Sequence, residues 1–259
     1  MSFLWLTVFL DFPASDFEPG VIFWRTVTGS GLSASRGATG QFATLLPRDG
    51  DPYLRVQRVA AGDGGCHLDL HVDTAVASLA EVAARATALG ARPQHIEDGL
   101  IVAESPGGFT FCLVSWDGEH AVPSPTPTPS PTLTPGAAGG GASRVDTLCM
   151  DVPPDGFERE AAFWAALTGW EARPTPFPEY RLLRTPAELP IRMLVQRLAD
   201  AAAGQRVRAH VDVGCLDAGA VAAHVALGAR VIAGQEYWTV LADPAGREYC
   251  LVNREPFGR

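Results

Sequence analysis

Two short segments set a histidine two residues before an aspartate: "CHLDLHVD" at 66–73 and "AHVDV" at 209–213. In an extended chain, alternate side chains point to opposite faces. His67, Asp69 and His71 then share one face, with Leu68, Leu70 and Val72 on the other. His210 and Asp212 share a face in the second segment. An imidazole beside a carboxylate in a partly dry site can move protons near neutral pH without a metal. His67, Asp69, His210 and Asp212 are therefore candidate acid–base residues. A direct bond within each pair does not follow, because side chains two apart on a strand run parallel. Ordinary hydrogen-bonded strand histidines are the competing reading.

Two cysteines recur as well, Cys112 and Cys250, each opening a "CLV". A thiolate could be a nucleophile or a metal ligand. The sequence shows no basic neighbour to lower the thiol pKa, and small buried cysteines usually just pack. On the first apolar run Trp5, Thr7 and Phe9 share a face, an aromatic surface that could stack a planar or cationic ligand or simply fill the core. The matching trio in the second half is Val145, Thr147 and Cys149. Trp24 and Trp164 beside Phe23 and Phe163 read as core by helical spacing. Nothing resembles a Ser-His-Asp order, a phosphate-binding loop or a dinucleotide fingerprint.

The elements that carry these residues are written twice. "FWRTVTG" at 23–29 matches "FWAALTG" at 163–169, an offset of 140. "VQR" recurs at 56–58 and 195–197, offset 139, and "ALGAR" at 88–92 and 226–230, offset 138. Constant order and a nearly constant offset establish an internal duplication. Each copy reads strand–helix–strands, twice. The first has strands at 3–12, 41–46, 53–59 and 66–73, a short helix near 16–29, an Ala-rich helix at 77–90 stopped by Gly90, and strands at 92–96, 99–104 and 109–115. In the second, a helix starts with Asp155 as N-cap and ends at Gly169, and another ends at Gly228.

Between the copies runs "GEHAVPSPTPTPSPTLTPGAAGGGAS", 118–143. Proline at alternate positions favours extended polyproline II, and the Gly/Ala end is flexible. The expected organisation is a domain at 1–117, a linker at 118–143 and a domain at 144–259.

Composition bounds the function. The chain has 259 residues, is 47% hydrophobic and carries a formal charge of −9. That suits one large or two small globular domains. It argues against nucleic acid or an anionic membrane, which want clustered Lys and Arg. Five cysteines, an odd number with no CxxC, point to reduced thiols and a cytoplasmic setting. "MSFLWLTVFLDF" lacks a basic leader and reads as a strand rather than a signal peptide. No apolar run reaches the roughly 20 residues that span a bilayer.

The motifs "FWAALTGW", "MLVQRL", "AHVDV", "ALGARV" and "WTVLADPAGREYCLV", with their first-copy counterparts, resemble the vicinal oxygen chelate superfamily of glyoxalase and bleomycin-resistance-like proteins, in tandem two-domain form. The resemblance implies an α+β fold in which each domain is two βαβββ modules forming an open cup. It places the superfamily's ligand positions at Thr7, Gln57, His67 and Cys112 and at Thr147, Gln196, His210 and Cys250. The cysteines stand where a chelating relative carries glutamate. Thr and Gln are weak ligands, so only His67, Cys112, His210 and Cys250 would hold a divalent zinc, iron, nickel or manganese ion. No ligand position supplies the carboxylate of a ferrous dioxygenase site. The expectation is a cup that binds a small organic molecule without a full metal site or other cofactor. Trp5, Thr7, Phe9, Gln57, His71, Cys112, Thr147, Gln196 and Cys250 would line it. The alternatives are a metal-dependent lyase or isomerase that uses His, Cys and Gln ligands, and a non-catalytic scaffold. A monomer acting as a pseudo-dimer, or a homodimer, is expected.

Overall fold

The computed structural model describes residues 3–129, 141–202 and 204–256. The first copy contains β1 (Phe3–Pro13), α1 (Phe17–Thr28), β2 (Gly31–Leu32), β3 (Phe42–Leu46), β4 (Leu54–Val59), β5 (Gly65–Val72), α2 (Leu79–Ala88), β6 (Arg92–Glu97), β7 (Leu100–Glu104) and β8 (Thr110–Ser115). A two-residue strand, β9 (Thr126–Pro127), follows. The second copy contains β10 (Ala142–Val152), α3 (Phe157–Thr168), β11 (Ala172–Pro174), β12 (Tyr180–Leu183), β13 (Arg192–Arg197), β14 (Arg208–Cys215), α4 (Ala220–Ala226), β15 (Arg230–Gly234), β16 (Trp238–Ala242) and β17 (Glu248–Val252).

Each copy forms one sheet. The orders are β2-β3-β4-β1-β5-β8-β7-β6 and β11-β12-β13-β10-β14-β17-β16-β15. These are identical series of two βαβββ modules joined at their first strands, the α+β architecture of tandem vicinal oxygen chelate domains. Within each second module the first strand pairs parallel with the last, β5 with β8 and β14 with β17.

The helices follow from their apolar stripes. In α1, Phe17, Val21, Phe23, Trp24 and Val27 are buried; in α3, Phe157, Ala161, Phe163, Trp164 and Leu167. Both helices stop at a glycine in the left-handed region, Gly29 at φ +59° and Gly169 at φ +80°, which closes the last turn. A capping box between Ser78 and Glu81 starts α2. Asp155 does not cap α3: it lies inside a 3-10 turn, Pro154–Gly156, that leads into the helix. The proline at 154 presets that turn and moves the helix start to Phe157.

Compactness divides the chain across the two copies. One unit comprises residues 1–9, 66–120 and 148–209; the other comprises 10–65, 121–147 and 210–259. Inside the first, Trp164 and Phe163 of α3 pack edge-on or tilted against Phe111 of β8, and Trp164 also meets Phe109. The Trp164 indole donates to Glu160 Oε1 at 2.9 Å, and Gly107 N–H donates to Glu160 Oε2 at 2.9 Å. Inside the second, Phe23 and Trp24 of α1 pack on Tyr249 of β17. There the Trp24 indole donates to Asp243 Oδ2 at 2.8 Å. In each unit, then, a helix from one copy closes on the last strand of the other. Truncating such a buried tryptophan to alanine costs about 3–5 kcal/mol.

Part of the proline-rich segment is structured in its own unit. Thr126–Pro127 pairs antiparallel with Ala142–Ser143. Ala121 N–H donates to Asp51 Oδ2, Ser124 N–H to Asp49 Oδ1, and Arg144 Nη1 to the Pro123 carbonyl. An edge position tolerates proline, which has no N–H to donate. Residues 130–140 of the expected linker lie outside the described residues. Among the described residues no helix is long and apolar enough to cross a membrane.

Candidate functional site

Strand register assembles the site. The parallel β5–β8 pair sets Asp69 opposite Cys112, and the parallel β14–β17 pair sets Asp212 opposite Cys250. With His67 and His210 two residues upstream on the same faces, each copy gathers three donor atoms. The donors of His67, Asp69 and Cys112 all lie within 4.8 Å of one another, as do those of His210, Asp212 and Cys250. In the second cluster His210 Nε2 stands 3.5 Å from Cys250 Sγ and 3.4 Å from Asp212 Oδ1. Asp212 Oδ1 is buried and has no hydrogen-bond partner among the described residues.

Two sequence expectations are corrected here. A carboxylate does join each histidine and cysteine: Asp69 and Asp212 complete sets that the ligand positions carried over by resemblance left without one. And Cys250 does have a basic neighbour, His210. Both corrections have one cause, the pairing of β14 with β17 and of β5 with β8, which brings together residues about 40 apart in the chain.

The threonines at the superfamily's ligand positions are engaged elsewhere. Thr7 Oγ1 meets His71 Nε2 at 2.9 Å, and His71 Nδ1 stands 3.5 Å from Glu119 Oε2. Thr147 Oγ1 donates to Asp146 Oδ1 and accepts from Arg254 Nη2 at 3.1 Å. Arg254 also grips Asp146 with both terminal nitrogens at 2.5 Å. Trp5 and Thr7 are completely buried. Phe9 is buried and stacks on the His67 ring, centroids 4.3 Å apart and planes 15° from parallel. Gln196 Oε1 accepts from Cys149 Sγ at 3.5 Å. Gln57 is half-buried on β4, opposite Phe42 in the ladder.

Arg254, Asp146 and Glu119 were not found from the sequence. A signal existed: the aligned strands carry His71 in one copy and Gly214 in the other. A side chain at Gly214 would collide with Arg254 Nη1 and Asp146 Oδ2, each 2.6 Å from where its Cβ would sit. The missing side chain makes the arginine's space.

The sheets, the donor clusters and the duplication can now be set beside known proteins. A family model described as "Glyoxalase-like domain" matches residues 7–114 and again 147–252. The chain belongs to the glyoxalase-like domain family. Both copies are glyoxalase-like, and the matches take in every residue of the two clusters. A comparison with curated proteins finds no match. Among solved structures, the glyoxalase-like chain is similar to 2,2',3-trihydroxybiphenyl 1,2-dioxygenase from Sphingomonas wittichii: 17% identity, 95% of this chain and 88% of that one covered, TM-score 0.61. It is similar to a 2,3-dioxygenase from Pseudomonas at 15% identity, covering 95% and 90%, TM-score 0.62. It is also similar to a Mn(II)-bound glyoxalase from Novosphingobium aromaticivorans at 14% identity, covering 98% and 83%, TM-score 0.58. At such identities the likeness is one of fold.

Proposed function

We propose that this glyoxalase-like chain binds small organic molecules on the polar faces of its two sheets, with contact made at His67, Asp69 and Cys112 and at His210, Asp212 and Cys250. The observation that carries this reading is Asp212 Oδ1, a buried oxygen without a hydrogen-bond partner beside an imidazole and a thiol. Leaving a buried acceptor unsatisfied costs about 1–3 kcal/mol, more when it is charged. A hydroxyl or amine of a bound molecule would remove that cost. Phe9, stacked on His67, offers an aromatic edge to a planar ligand in the first copy alone.

A second reading has its own support. Tetrahedral zinc with Zn–N and Zn–O near 2.0 Å and Zn–S near 2.3 Å sets its donors roughly 3.3–3.6 Å apart. The 3.5 and 3.4 Å separations around His210 Nε2 match that spacing. One imidazole, one thiolate and one carboxylate also give the three protein ligands of a catalytic zinc site. The residues therefore fit a divalent ion, and a Mn(II)-bound glyoxalase is among the structures of similar fold. They do not fit the two-histidine, one-carboxylate set of ferrous oxygenases. A bound ion would supply Lewis-acid charge to a substrate oxygen. The chain would then serve as a lyase or isomerase, with His67, Asp69 and Cys112 or His210, Asp212 and Cys250 holding the ion. Absence of disulfides among the five cysteines supports a reducing, cytoplasmic setting.

The deciding experiment is elemental analysis of purified protein before and after chelation, followed by thermal-shift screening with small carbonyl and aromatic compounds. One or two equivalents of metal, lost in His210→Ala and Cys250→Ala, select the second reading. Less than about a tenth of an equivalent, with ligand shifts abolished by Asp212→Asn, select the first. Neither metal nor ligand shifts would sink both and leave a scaffold.

A further inference from the structure

In the unit that holds residues 10–65, 121–147 and 210–259, Arg144 stands out. It is more than nine-tenths buried. Its Nη1 donates to the Pro123 carbonyl at 2.8 Å. Its Nε and Nη2 are buried and have no hydrogen-bond partner, and no carboxylate among the described residues lies within ion-pair distance of it. Beside it the buried Ser143 Oγ is also without a partner. Asp146, two residues on, is taken up by both terminal nitrogens of Arg254.

Arg144 and Ser143 are among the residues that line a cavity. It is lined by Ser143, Arg144, Tyr53, Thr126 and the exposed Arg48, among others. Its enclosed space is about 20 Å³, enough for one water-sized body and too small for an organic substrate. Its polar lining is cationic and hydroxylic, and Val27, Leu45, Leu54, Val145 and Val213 make up much of the rest. The Tyr53 hydroxyl is already committed as a donor to the Val145 carbonyl at 2.8 Å, and burial pushes its pKa far up, so it supplies no compensating negative charge.

A buried, unpaired guanidinium is among the costliest groups a protein can hold, and the usual remedy is an anion with hydrogen bonds to it. From the two unpartnered guanidinium donors, the serine hydroxyl and a space of one-atom size, we infer that Arg144 and Ser143 bind a monatomic anion of the halide class, chloride in solution. The site belongs to the second copy alone. At the equivalent positions the first copy has Phe3 and Leu4, which leave no charge to satisfy. It is separate from the His–Asp–Cys clusters, so its fate is independent of the proposed function.

The test is thermal unfolding of the full chain in sodium chloride, bromide or gluconate at one ionic strength. The melting temperature should rise by about 3–5 °C for each tenfold increase in halide above its dissociation constant, and stay flat in gluconate. Arg144→Met should melt identically in all three salts. Should that variant fail to fold, Ser143→Ala should fold and show a weaker halide response. Crystals grown in bromide should give an anomalous peak beside Arg144 Nε and Nη2. Equal melting in halide and gluconate, or a halide response undiminished in Arg144→Met, would overturn the assignment in favour of a bound water.

Discussion

His71 and Arg254 do the same job in the two copies by different chemistry. Each meets the threonine at a superfamily ligand position, Thr7 or Thr147, and each has an acid behind it, Glu119 or Asp146. In the first copy the group comes from β5 itself. In the second, β14 has Gly214 at that point and the guanidinium arrives from beyond β17. The neighbouring position diverged in step: Leu6 in one copy, Asp146 in the other. Duplication preserved the donor triads and replaced what supports them. The first support is an imidazole; the second is a permanently charged guanidinium. The two copies are thus built to present different electrostatic surroundings to similar donor sets.

The largest expected effect tests the arginine side. Asp146 is fully buried. Arg254→Ala should lower stability by about 3–5 kcal/mol in urea titration, because it takes the guanidinium away from a buried carboxylate. Adding Asp146→Leu, the first copy's residue, should restore most of the loss. If the double variant is no better than the single one, the pairing is not what Arg254 is for.

Next comes acid stability, where the helix contacts of the two compact units differ. His224 lies against Tyr249 in one unit, Nδ1 to Oη 2.7 Å. The other unit has Ala86 and Phe111 at those positions. Burial pushes the His224 pKa down to about 4. A depressed histidine pKa means the unfolded chain takes up the proton first. Its contribution is therefore complete above pH 6.5 and is lost as pH falls through about 4. The loss amounts to about 3 kcal/mol. His224→Gln should flatten that limb of a stability–pH curve. An unchanged limb would assign acid lability elsewhere.

His71→Leu should cost less, about 1–3 kcal/mol, through the Thr7 hydroxyl it leaves unpaired. It should leave the second copy's ligand response intact in thermal-shift assays. The smallest effect concerns the acids that receive the two helix tryptophans. Burial raises the pKa of Glu160 despite hydrogen bonds from Ser105, Trp164 and Gly107, and burial likewise raises that of Asp243. A raised carboxyl pKa gives stability that is full below the unfolded value and declines as pH rises through the folded one. Glu160→Gln should make stability between pH 4.5 and neutral flatter; a steeper curve would reverse the assignment.

Much of this was legible in the sequence. The repeat offsets gave the module order, and hydrophobic period placed β5 at 66–73 against the observed Gly65–Val72 and α2 at 77–90 against Leu79–Ala88. Local patterns suffice for local elements. Alternation also put His67 with Asp69 and His210 with Asp212. It could not show that Cys112 and Cys250 would face those aspartates, because parallel register is a long-range property. Nor could it reveal Arg254, whose role depends on an empty space at Gly214, or the pairing of Thr126–Pro127, which needs a partner strand to exist. Composition favoured an unpaired extended segment there, and tertiary contacts overrode it.

One feature of the fold reaches beyond chemistry. Each compact unit draws its interior from both ends of the gene, α3 closing on β8 and α1 on β17. A chain nicked between 118 and 143 would yield two fragments, each carrying only one side of two hydrophobic contacts. Their reunion would be a second-order event, dependent on concentration. The protein is in that sense a heterodimer encoded as one polypeptide, and its copies are tied to each other as partners rather than kept as spares.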